Sequence, residues 1–129
     1  MTGTPTITAI VTANTKRTDD IHILTLAPQN GFSYRAGQYI EIALPHHTPR
    51  PFSIANAPRA DGQLFLHVRN TGHGICAALC ASVVGDTVPV RGPFGRLDAV
   101  KSTGKPVLMV AGVTGLAPML ALAQDMVRH

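Results

Sequence analysis

The chain has 129 residues, 45% of them apolar and 14% charged, with 12 Gly and 10 Pro. That is the length of one domain, too apolar for disorder, and its two cysteines exclude a disulfide scaffold. The net charge of +4 comes mostly from arginines scattered along the chain, without Trp or aromatic interleaving; this suits a small phosphorylated ligand better than a nucleic acid.

In chain order, Thr6 to Ala13 and Ile21 to Ala27 are β-branched runs separated by the polar stretch Asn14 to Asp20. Gln38 to Leu44 alternates apolar and polar residues, with Glu41 facing outward. Pro45 to Pro49 reads as a loop, and Pro51 to Asn56 as a short strand. Asp61-Gly62 marks a turn before the alternating run Gln63 to Arg69. An alanine-rich helix is expected over Ile75 to Ala81, then a sixth strand over Thr87 to Arg91. Gly92-Pro93-Phe94-Gly95 reads as a rigid turn, and Arg96 to Lys105 as a linker. The continuous apolar run Pro106 to Ala111 predicts a strand buried on both faces. A glycine turn and a helix with Pro118 in its first turn complete the chain.

The expected architecture is mostly β. A domain over residues 1–100 precedes one β-α unit over 101–129. A parallel β-α layer needs further strands to bury it. We therefore expect either a fragment or a chain completed by a partner, and an unpaired edge over 106–128 offers itself to a second copy. Val107 to Gln124 carries no charge, but Gly112, Gly115 and Pro118 interrupt it. Strand, turn and helix explain it better than a membrane span. No secretory leader pattern opens the sequence, so the expected compartment is the cytosol.

The segment richest in chemistry is Arg50-Pro51-Phe52-Ser53. Arg50 supplies a forked permanent cation for phosphate, Phe52 a flat face, and Ser53 a hydroxyl that donates or accepts. Pro51 stiffens the strand entry. Other candidates carry less. Cys76 and Cys80 share a helix face without a second ligand pair, and read as small buried hydrophobes rather than a metal site. His46-His47 reads as a solvated loop or the rim of a ligand pocket, and His22 as a surface strand position. Glu41 and Asp86 form no evident acid–base pair.

The order of Tyr34-Arg35-Ala36-Gly37-Gln38-Tyr39, Arg50-Pro51-Phe52-Ser53-Ile54-Ala55-Asn56, Gly85-Asp86, Gly92-Pro93-Phe94-Gly95 and Ala111-Gly112-Val113-Thr114-Gly115-Leu116-Ala117-Pro118 resembles the ferredoxin–NADP reductase family of flavoproteins. The likeness extends to bacterial flavin reductases and reductase subunits of multicomponent enzymes. It covers about residues 6 to 128. It implies a six-stranded antiparallel Greek-key flavin-binding barrel with one short helix, then a nucleotide-binding α/β domain. The implied cofactor is FAD, with FMN as the alternative; NAD(P)H is implied only where a complete nucleotide domain is supplied.

By the same resemblance, Arg50 pairs with flavin phosphate and Phe52 lies against the ring or ribityl chain. Ser53 hydrogen-bonds near the hydride-accepting nitrogen N5. The backbone of His67, Val68 and Arg69 lines the cofactor, and Gly74, Ile75 and Cys76 open a helix whose N–H groups face phosphate. The loop with Gly112, Thr114 and Gly115 offers further N–H groups. Two positions depart from the pattern: the family usually has Ser or Thr at Cys76, and Gly-Gly at Gly112-Val113. The rival reading is a non-enzymatic barrel that serves as an interaction subunit.

Overall fold

The computed structural model describes residues 4–97, 104 and 106–128. Six strands form one antiparallel sheet: β1 (Thr6–Lys16), β2 (Ile21–Pro28), β3 (Tyr39–Ile42), β4 (Arg50–Ser53), β5 (Leu64–Arg69) and β6 (Thr87–Phe94). Their spatial order is β4-β3-β6-β1-β2-β5, so β6 returns across the sheet to lie between β3 and β1. This is the crossing expected of a Greek key. An isolated bridge between Ile54 and Leu66 draws the two outer strands together, which curls the sheet into a barrel.

Alternation decides which side chains fill it. Leu24 and Leu26 of β2, Ile40 and Ile42 of β3, Leu64, Leu66 and Val68 of β5, and Val88 and Val90 of β6 are fully or almost fully buried in one cluster. A seven-residue helix, α1 (Gly74–Cys80), adds Ile75 and Leu79 to that cluster. Its C-terminal end is tied to β1 by Asn14, whose Nδ2 donates to the carbonyls of Cys80 at 3.0 Å and Ser82 at 2.8 Å. The Oδ1 of Asn14 lies 2.8 Å from Nδ1 of His22, so the half-buried His22 is a partner in this tie rather than a free surface group.

The strands differ from expectation at their ends. β1 runs on to Lys16 because Asn14, Thr15 and Lys16 still pair with β2 beyond a register shift between Val11 and Ala13. β6 runs through the predicted turn to Phe94, which pairs with Tyr39. Gly92 makes this possible. Its φ is +142°, and a Cβ there would lie 3.3 Å from the Tyr39 carbonyl oxygen. Glu41 does not stand alone on its outer face: Arg91, opposite it on β6, donates to its Oε1 at 2.7 Å.

The C-terminal part is only partly as predicted. The helix forms as α2 (Leu116–Arg128), with Pro118 in its first turn, preceded by a 3-10 turn over Val113–Gly115. Residues 106–111 form no strand. Their hydrogen-bonding groups meet no neighbouring strand, and Leu108 and Val110 remain 90% and 82% exposed. The buried parallel strand expected there is thus not seen. A small second cluster of Ala36, Ala57, Ala121 and Leu122 packs α2 against the barrel. The domain boundary placed at residue 100 lies outside the described residues. No described helix is long and apolar enough to cross a membrane.

Candidate functional site

β4 is short and sits at the edge of the sheet, so Arg50, Pro51, Phe52 and Ser53 have no strand on their far side. Pro51, which cannot donate to a ladder, is tolerated there for that reason. A cavity of about 450 Å³ opens over this strand. Arg50, Pro51, Phe52 and Ser53 form one wall, His67 and Arg69 of β5 the next, and Thr71 and Cys76 a third. Val113, Thr114, Gly115 and Ala117 close it from the C-terminal side.

Asn56 sets the registry of β5 against β4. Almost completely buried, it accepts from the Phe65 N–H at 2.9 Å and donates to the Gln63 carbonyl at 3.0 Å. Its own carbonyl accepts from the Tyr34 hydroxyl at 2.8 Å. Burial raises the Tyr34 phenol well above its ordinary range, so it stays protonated as the donor. These bonds link the Tyr34 and Asn56 motifs and hold His67 and Arg69 across from Ser53.

No carboxylate lines the cavity. The Arg69 guanidinium is shared with Asp20 at 3.0 Å, whereas Arg50 has no ion pair among the described residues. The half-buried Ser53 hydroxyl likewise has no protein hydrogen-bond partner among them. An unneutralised cation and an unused hydroxyl, facing one acid-free hollow beside Phe52, fit a ligand with a phosphate tail and a flat polar ring. His67 is held neutral more readily than an exposed imidazole, first by burial and then by the nearby Arg17 cation.

Of the predicted residues, Val68 turns its side chain into the barrel core at 0% exposure, so that only its backbone is available to a ligand. Gly74 and Ile75 line an adjoining hollow of about 300 Å³ with His46, His47, Thr48 and His73; Arg50 and Thr71 border both hollows. Gly112 does not line the main cavity, although Thr114 and Gly115 do. Val113 stands in a left-handed conformation, φ +53°, that a β-branched residue adopts only under strain. Thr71, Val113 and Ala117 also line the cavity. Val113 and Ala117 lie within the 111–118 motif without being among its expected site residues, and Thr71 belongs to no motif. Cys76 borders the cavity half-buried, while Cys80 points inward and burial pushes its thiol up to about 11. Among the described residues no three His, Cys, Asp or Glu side chains are grouped to hold a metal.

The model of the oxidoreductase FAD-binding domain matches residues 8–98. The chain belongs to that family. FAD is accordingly the cofactor of this domain. Reductase component 2 of terephthalate 1,2-dioxygenase from a Comamonas species is 32% identical over 125 residues, spanning 95% of this chain and 37% of the relative. The Amycolatopsis cytochrome P450 reductase superposes with a TM-score of 0.86 at 28% identity, over 96% of this chain and 39% of that one. Phthalate dioxygenase reductase shares the fold, with a TM-score of 0.73 at 21% identity over 92% of this chain and 39% of that one. The chain thus spans little more than a third of these proteins.

Proposed function

We propose that this chain is the flavin-holding part of an NAD(P)H-dependent reductase component, and that FAD sits in the cavity over β4. The observation that carries this reading is the meeting of a carboxylate-free Arg50 and an unpartnered Ser53 hydroxyl across Phe52 in an acid-free cavity. When bound, FAD supplies a ring that accepts two electrons from a nicotinamide and passes them on to an acceptor.

The protein's part is placement. Arg50 sets a forked, permanent cation against a phosphate. Phe52 gives the ring or its ribityl chain an apolar face, and Ser53 directs a hydrogen bond at the ring nitrogen N5. The backbone of His67, Val68 and Arg69 would run beside the cofactor, and the N–H groups at Gly74, Ile75 and Cys76 would be available to its phosphates. Thr114 and Gly115 approach from the opposite wall, with Gly112 setting the turn that carries them.

Hydride transfer needs both rings held close and aligned, and a nicotinamide site needs more nucleotide-binding structure than α2 provides. The 129 residues alone therefore bind FAD but turn over NAD(P)H slowly. The exposed edge at Leu108 and Val110 is where the rest of such a domain would pack; a second copy pairing through 106–128 is the rival occupant, separated from it by sedimentation of the pure chain. The NAD(P)H requirement also fits a cytosolic setting.

Titrating the apo chain with FAD, read by quenching of flavin fluorescence, tests the reading. Arg50→Ala should weaken binding by about 10- to 100-fold, as for a lost charge-assisted hydrogen bond, with the fold intact by circular dichroism. A chain that takes up no flavin would instead favour the non-enzymatic barrel subunit.

A further inference from the structure

A second hollow, of about 380 Å³, lies on the outer face of β1, β2 and β5, where α2 crosses them. Thr15, Arg17, Thr25, His67 and Gln124 form its polar border, and Phe65 and Leu120 belong to its apolar lining. We infer that this hollow binds a small organic monocarboxylate, with its apolar body against Phe65 and Leu120 and its carboxylate at Arg17.

Charge argues first. Asp and Glu are absent from the lining, and Arg17 has no ion pair among the described residues. Of the two acidic residues that follow it, Asp19 is exposed and outside the lining, and Asp20 is engaged by Arg69 at 3.0 Å. Of the other nearby cations, Arg59 is neutralised by Asp61 at 2.8 Å and lies over the Phe65 ring, 5.0 Å from its centroid. His67 adds no second charge near neutral pH, because burial and Arg17 both disfavour its protonation. One cation in an acid-free hollow matches one carboxylate.

Two of the remaining polar groups have a donor in want of an acceptor. Gln124 uses its Oε1 to accept from the Ala57 N–H at 2.9 Å, which leaves its amide N–H groups to donate. The Thr25 hydroxyl has no protein partner among the described residues. The apolar lining has no use for a bare inorganic anion, and selects an anion that carries a hydrocarbon body.

His67 gives the hollow a consequence, since its side chain borders this hollow and the cavity over β4 alike. A ligand seated beside it would share one wall residue with the neighbouring cavity. The inference stands on the Arg17 hollow itself and does not depend on what the cavity over β4 holds.

Benzoate is the probe, titrated into the full ¹⁵N-labelled chain and followed by amide shifts. Saturable shifts at Arg17, Thr25 and His67 are expected at about millimolar benzoate, as befits so small a ligand. Benzamide, its uncharged counterpart, should bind at least tenfold more weakly. Arg17→Gln should reduce benzoate affinity tenfold and leave benzamide unchanged. Arg50→Ala, which lies outside this hollow, should leave benzoate binding intact. Linear, unsaturated shifts overturn the inference, as does equal binding by Arg17→Gln. Loss of binding in Arg50→Ala alone would also overturn it, by placing benzoate in the cavity over β4.

Discussion

The barrel and the C-terminal segment are held by very different means. Residues 6–94 carry six paired strands around a continuous apolar cluster that α1 seals. Residues 106–128 contribute one helix, packed through a cluster built mainly of alanines. Polar ties reinforce it, among them Gln124 accepting from the Ala57 N–H at 2.9 Å and Arg128 donating to the Pro58 carbonyl at 2.7 Å. Burial per residue is far smaller there, and so is the stability to be gained. Both regions nevertheless supply walls of the cavity over β4. The barrel is therefore a rigid frame for a ligand, and the C-terminal side a weakly attached cover whose opening costs little.

The strongest test of that contrast is in the core. Leu66 is fully buried at the point where Ile54 bridges to it. Leu66→Ala should cost about 2–5 kcal/mol, the usual range for such a truncation, measured by urea denaturation. A loss below 1 kcal/mol would mean that the barrel core collapses around the gap and is less rigid than its pairing implies. Gln124→Ala should cost about 1 kcal/mol by leaving the Ala57 N–H without its partner. Here the sharper readout is hydrogen exchange: amides of 116–128 should exchange faster while those of β2 and β5 stay protected. Equal loosening of both regions would show that they unfold as one unit.

The smallest effect concerns pH. His67 has a lowered pKa in the folded chain, so below its unfolded value the unfolded chain binds the proton more readily. Stability present at neutral pH should therefore decline as pH falls through about 6.5, and His67→Gln should flatten that decline. Because His67 is half-exposed to solvent, the change is modest. A steeper decline in the variant would locate the responsible groups elsewhere.

Strand positions were largely readable from the amino acids, for a physical reason. In β3 and β5 every second residue is apolar, and one face is buried, so period and burial coincide. Ends were less readable. Asn14, Thr15 and Lys16 look like loop residues, but cross-strand bonds to β2 and the tie to α1 hold them in β1. Pro106 to Ala111 has the composition of a buried strand, but composition does not provide the neighbour that a ladder requires. The Arg50 to Ser53 wall of the cavity was evident because four chemically distinct residues stand together in sequence. Of the opposite wall, Thr114 and Gly115 were expected from the glycine-turn motif, whereas Val113 and Ala117 meet the cavity through packing of the 3-10 turn and the start of α2. For the same reason nothing local marks Arg17, Thr25 and Gln124 as bordering one hollow.

The two cysteines offer a chemical clock for the cavity. Only the thiolate is attacked by an alkylating reagent, and Cys80 is both enclosed and pushed up to about 11. Cys76, half-buried on the cavity border, is the side chain a maleimide reaches first. Anything lodged over β4 stands in the reagent's path. Mass spectrometry of the first alkylation, timed with and without FAD, then reads the occupancy of the site without a spectroscopic signal or a partner protein. Equal rates in both conditions would show that the cofactor leaves this border open.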